Sequence, residues 1–159
     1  MVNSKVLYHA SQITGLDILK PANQTPRYAG ESDYIFATPF KAVAAMFLTP
    51  KEISTEICKY GEDFVIFVKS SPDEYKKYDK GGSIYSVDGN QFTTDSSIGM
   101  GDTEWVCDHD ISPLSEETYG SSLLAMHSFN VQTYFVNEET FAKIQNDPSN
   151  GLSLVNKGS

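Results

Sequence analysis

The stretch "DYIFATPFKAVAAMFL", residues 33–48, constrains this chain more than any other. It passes from a short apolar strand through a Thr-Pro step into a helix of small residues. Thr38 suits the N-cap and Pro39 the first helical position, where a missing N–H does no harm. Phe40, Val43, Ala44 and Phe47 recur at helical spacing and predict one apolar face. Two rings, Phe36 and Phe47, bracket the corner with ten residues between them. Singly, such rings are core residues. As a pair on either side of a strand-to-helix corner, they also suit a slot for a flat ring.

Around this corner the pattern is many strands and few, short helices. "KVLYHAS" (5–11) reads as a strand ending at a polar edge, and "GLDILKPA" as a short element stopped by Pro21. Residues 22–33 are loop by composition. "FVIFV" (64–68) is an almost continuous apolar run, the mark of a buried strand. "SPDEYKKY" predicts a short helix with Ser71 as cap, Pro72 next, and Glu74 three residues after the cap. "SIYSVDGNQFTT" predicts a hairpin turning at Asp88-Gly89. "TEWVCD" (103–108) and "SFNVQTYFV" predict further strands, and Asn137 caps a helix "EETFAKIQ". The tail from Asp147 reads as frayed. With no repeat and no linker, the expectation is one α+β domain over residues 1–146 and a flexible tail over 147–159.

A chain of 159 residues can bury one substantial core. Its formal net charge of −9 opposes bulk binding to duplex nucleic acid, where Lys and Arg must neutralise phosphates. A small anionic ligand held by backbone N–H groups and one or two cations stays open. The start "MVNSKVLYHAS" lacks the apolar core of a signal peptide, and no run approaches the length of a membrane span. Cys58 and Cys107 are too few for a disulfide framework, so free thiols and a cytoplasmic setting are expected.

Distinctive side chains fall at strand ends in three segments: His9 in "LYHAS", Phe36 and Phe47 at the corner, and Glu104 in "DTEWVCD". Their order and spacing resemble the ADP-ribosyltransferases with a His-Tyr-Glu signature. That group includes poly(ADP-ribose) polymerases and diphtheria-type toxins, and the small rifamycin ADP-ribosyltransferases look similar. In the family a His-Gly-Ser/Thr strand end binds the NAD ribose and the nicotinamide amide, and His9-Ala10-Ser11 resembles it with Ala for Gly. A Tyr-Phe-Ala-like strand and a small-residue helix then carry two aromatics ten residues apart. "IFATPFKAVAAMF" is similar, with Phe36 where the family usually has Tyr. The last element, a strand opening with Glu and an aromatic, resembles Glu104-Trp105-Val106. The resemblance covers residues 5–110 in order.

What the resemblance implies is a single-domain fold of two packed antiparallel or mixed sheets around an NAD cleft. It also implies transfer of ADP-ribose from NAD to a protein, nucleic acid or small-molecule acceptor, with nicotinamide released. Glu104, His9 and Phe36 would be catalytic. His9, Ala10, Ser11, Arg27, Phe36 and Phe47 would bind NAD, with Arg27 in the donor loop facing the diphosphate. Asp102, two residues before Glu104, falls on the acceptor side. NAD is the only cofactor expected, as co-substrate, and no metal.

The residue chemistry suits that assignment. Cleaving the bond from ribose to nicotinamide builds oxocarbenium character, which a carboxylate on the ribose stabilises where stabilisation counts most. Attached nicotinamide is flat and cationic, so two flanking rings both orient it and favour its charge. Imidazole can donate to or accept from a ribose hydroxyl. The alternative is a binding module for NAD or ADP-ribose that performs no chemistry, or a structural protein in which His9 and Glu104 never meet.

Other motifs fail on spacing. "CDHD" (107–110) lacks a second ligand pair for zinc. "GMGD" precedes a strand, whereas a dinucleotide fingerprint opens a helix. "DGNQFTTD" lacks the glycine and closing Glu of a calcium loop. "SEET" (115–118) reads as an acidic exposed stretch, and His127 as structural.

Overall fold

The computed structural model describes residues 5–21, 34–94 and 104–157. The strands are β1 (Val6–Ser11), β2 (Ile35–Ala37), β3 (Thr55–Tyr60), β4 (Asp63–Lys69), β5 (Gly82–Asp88), β6 (Thr93–Thr94), β7 (Trp105–Cys107), β8 (Ser115–Tyr119) and β9 (Gln132–Val136). The helices are α1 (Lys41–Met46), α2 (Pro72–Tyr78), α3 (Ser122–Ser128), α4 (Glu138–Asn146) and α5 (Leu152–Lys157). The fold is a small α+β domain with three three-stranded sheets, where two were expected. Their orders are β1-β5-β8, β2-β7-β6 and β3-β4-β9. All pairings are antiparallel except β4 with β9.

The third sheet follows directly from the apolar run. Val65 to Val68 are all fully buried because β4 is central and covered on both faces. Ile66 and Val68 face the core around α1, while Val65 and Phe67 face Ile144 of α4. β3 and β4 turn on Gly61 at φ +64°, the first of two loop residues, where a type II′ hairpin needs glycine.

α1 lies between this sheet and the first. Ala42 to Met46 are all buried, against Ile84 of β5 on one side and Ile66 and Val68 on the other. Small residues with no polar face are what a helix buried all round requires. It begins later than the sequence implies. Phe40 is the N-cap residue, without a side-chain cap, and Thr38 instead accepts from the Phe40 N–H at 3.2 Å. Thr38 is unavailable as the cap because its backbone pairs with Tyr8 of β1.

Two other expectations are corrected, the hairpin and the frayed tail. β5 and β6 do not form a hairpin: β5 pairs with β1 and β8, and β6 with β7. The Asp88-Gly89 corner passes the chain between sheets, with the Gly89 N–H on the Lys5 carbonyl at 2.7 Å. A Cβ there would lie 2.7 Å from that same carbonyl oxygen. "SEET" is exposed as expected and forms the edge strand β8. The stretch from Asp147, read as a flexible tail, is helical over Pro148–Gly151 and Leu152–Lys157. Leu154 and Val155 pack on the core of Val65 and Phe67, and Gly151 is buried where a Cβ would meet Phe67 and Tyr60 at 2.5 Å. The Ser71 and Asn137 caps form as expected, accepting from the N–H groups of Glu74 and Thr140.

Candidate active site

His9 lies on β1 and Phe36 on β2, and Glu104 directly precedes β7. β2 pairs with β7 through Ile35 with Cys107, Phe36 with Val106 and Ala37 with Trp105. Thr38 directly follows β2 and Glu104 directly precedes β7, at the end of that register. Thr38 in turn bridges Tyr8, with reciprocal backbone bonds of 2.8 and 2.9 Å. The bridge sets the end of the β2–β7 pairing against β1. This single bridge joins the first two sheets edge to edge.

Beyond the bridge the strands fork. Continued pairing would set Ala10 opposite Phe36, but the ladder stops after one step. The Phe36 carbonyl accepts from the His9 ring at Nδ1, 2.7 Å away. A carbonyl only accepts, so Nδ1 carries the proton and Nε2 is the acceptor nitrogen of the neutral ring. Burial lowers the His9 pKa to about 4, and the Phe36 bond opposes that shift without cancelling it. His9 is 1% exposed and Glu104 7%.

The pleat distributes these groups over two faces. Phe36, Thr38 and Glu104 alternate onto one side of the joined sheet. Leu7 and His9 alternate onto the other, beside Tyr85, whose ring centroid lies 6.2 Å from that of His9. Ala10 is half-buried against the core around α1, and Ser11 Oγ accepts from the Ile13 N–H at 3.0 Å. Phe47 is the C-cap residue of α1 and packs against that core, while the Phe36 ring meets Tyr34 edge-on at 6.3 Å. Arg27 and Asp102 lie outside the described residues.

The sequence reading passed over four residues here. Thr38 is fully buried at the joint, Ser83 and Tyr85 are fully buried on β5, and Glu116 on β8 accepts from Ser83. Alternation in "SIYSVD" and "SEETY" was the available signal, since paired strands place Tyr85 and Glu116 in one row with His9.

Cys107 and His109 approach at 3.6 Å, but the thiol donates to the His109 carbonyl and burial pushes its pKa up. The imidazole is held between Asp108 at 3.1 Å and Gln91 at 3.0 Å. Among the described residues no group of three or more His, Cys, Asp or Glu could hold a metal ion. No helix among them is long and apolar enough to cross a membrane.

Set beside known proteins, the chain matches no family model, no curated protein and no solved structure. The functional reading therefore rests on the motifs and on the geometry of the fork.

Proposed function

We propose that this chain is an NAD-dependent ADP-ribosyltransferase whose site lies at the fork between β1 and β2. The observation that carries the reading is the adjacency of β1, β2 and β7. Three motifs far apart in sequence sit on or directly beside neighbouring strands, in the order His9, Phe36, Glu104. Phe36 and Phe47 would flank the nicotinamide ring. His9, neutral and with Nε2 as acceptor, would take a hydrogen bond from a ribose hydroxyl. Arg27 would meet the diphosphate and Asp102 the acceptor side.

In the reaction the bond from ribose C1′ to the nicotinamide nitrogen breaks, and its electron pair leaves with nicotinamide. The acceptor's nucleophilic atom bonds to C1′ and its proton is lost to solvent. The Glu104 carboxylate would hold the 2′-hydroxyl and stabilise positive charge on the ribose between those events. The acceptor is a protein side chain, a nucleic acid or a small molecule, and the net charge of −9 weighs against bulk nucleic acid.

Calorimetry with NAD and an assay of nicotinamide release test this together. Wild-type protein should bind NAD and release nicotinamide when supplied with a cell extract. Glu104→Gln should lose turnover by about 100-fold or more, the scale of removing one electrostatic stabiliser, while NAD binding survives. Heat without nicotinamide release would leave a binding module. No heat and no thermal shift with NAD would overturn both.

A further inference from the structure

We propose that Tyr85 and Glu116 are positioning residues that fix the loop after β1 and, with it, the place of the His9 imidazole. For its NAD arm the inference rests on the function proposed above. His9, Tyr85 and Glu116 are register partners across β1, β5 and β8, so their side chains project from the same face of one sheet. Tyr85 is fully buried, its ring tilted 36° against that of His9. Its hydroxyl reaches past the imidazole to grip the following loop twice. It donates to the Ile13 carbonyl at 2.8 Å and accepts from the Leu16 N–H at 3.2 Å.

Glu116 holds the middle of the same loop. One carboxylate oxygen accepts from the Gly15 N–H at 2.8 Å and from Ser83 Oγ at 2.5 Å. Gly15 sits at φ +74°, a turn conformation that glycine adopts without strain. Ser11 adds the bond to the Ile13 N–H, so side chains hold both polar backbone groups of Ile13 and the N–H groups of Gly15 and Leu16.

The loop is otherwise anchored by Leu16, which packs against the core around Leu7 and Leu19. Ile13 is 47% exposed, so burial contributes little at that position. A loop held by preset polar contacts is what keeps an adjoining binding group in one geometry. The Tyr85 ring belongs to the apolar core around Leu7 and Leu19, so a substitution that keeps the ring and removes only the hydroxyl should free the loop and leave the fold standing.

The test combines amide hydrogen exchange, NMR of the His9 ring nitrogens and NAD calorimetry on full-length Tyr85→Phe, Glu116→Ala and Glu116→Gln. Tyr85→Phe keeps the ring and loses both grips. Glu116→Gln keeps an acceptor oxygen and loses the charge. Exchange at Leu16 in Tyr85→Phe, and at Gly15 in Glu116→Ala, should rise about tenfold or more, as expected for a lost hydrogen bond to a structured partner. The His9 ring signals should shift in both variants, and NAD affinity should fall by a similar factor. Glu116→Gln should recover most of each effect, and it carries the test with Tyr85→Phe if the alanine variant fails to fold. Unchanged protection of both amides would overturn the proposal. So would a freed loop with wild-type His9 signals. Failure of the wild-type chain to bind NAD would sink the proposed function alone, and the exchange and ring signals would still decide the positioning roles.

Discussion

Along β4, Val65, Ile66, Phe67 and Val68 are apolar and fully buried, whereas His9, Thr38 and Glu104, at or beside the fork, are buried polar residues. These three are half of the buried polar residues among those described, the others being Thr49, Ser83 and Ser122. The first region is stabilised by removing apolar surface from water, at roughly 25 cal/mol per Å². The second must satisfy every polar group it buries, because an unpaired one costs a few kcal/mol. A fold that needed stability alone could have filled the fork with aliphatic side chains. Polar burial concentrated where three motif strands meet is why the candidate site is placed there.

The two regions should respond differently to perturbation, and the largest effect belongs to the apolar one. Phe67→Ala removes a fully buried ring packed against Tyr134, with centroids 5.7 Å apart, and should cost about 3–5 kcal/mol in denaturant unfolding. That cost should be the same at pH 5 and pH 7. A loss under about 1 kcal/mol would mean that β4 is less central than its burial indicates.

The fork should show itself through pH. The His9 pKa lies at about 4 when folded, below its ordinary 6.5, so the unfolded chain binds more protons between those values. Stability from keeping His9 neutral is complete above pH 6.5 and is lost as pH falls toward 4. The total is about 3 kcal/mol from a shift of this size. His9→Gln should lack that component when unfolding curves are compared from pH 4 to pH 7. An identical pH dependence in both proteins would remove the buried neutral imidazole from the account.

Smaller effects refine the contrast. Gly151→Ala forces a methyl against Phe67 and Tyr60 and should destabilise by about 1–3 kcal/mol, showing that the C-terminal turn is part of the apolar region. A neutral result would detach it. Lys41→Met breaks a 3.1 Å pair with Glu117 whose side chains are 36% and 50% exposed, and should change stability by less than about 1 kcal/mol. A larger loss would show that the rings of Tyr8 and Phe129 beside Lys41 matter more than the ion pair.

Local chemistry was legible in the sequence wherever neighbours along the chain decide it. The Ser71 and Asn137 caps, the buried run of β4 and the small-residue helix all follow from spacing, propensity and hydrophobicity. His9, Phe36 and Glu104 could be singled out from residue type and order. Pairing was not legible, because it depends on which strands meet. Asp88-Gly89 has the composition of a hairpin turn, yet the chain leaves it for another sheet. Thr38 has the composition of a cap, yet its backbone is taken by Tyr8. The Glu116 stretch is exposed as its composition suggests, yet the pairing with β5 that sets Glu116 in one row with Tyr85 and His9 was not legible.

The sequence by itself set the apolar run, the helix ends and the side chains able to do chemistry, since these depend on residues a few positions apart. Only the tertiary structure decided that β1 and β2 meet at one bridge and then part, leaving an imidazole on a carbonyl where a ladder bond would otherwise form. Strand pairing is a contest among distant segments for the same backbone groups, and register settles it after the chain has folded back on itself.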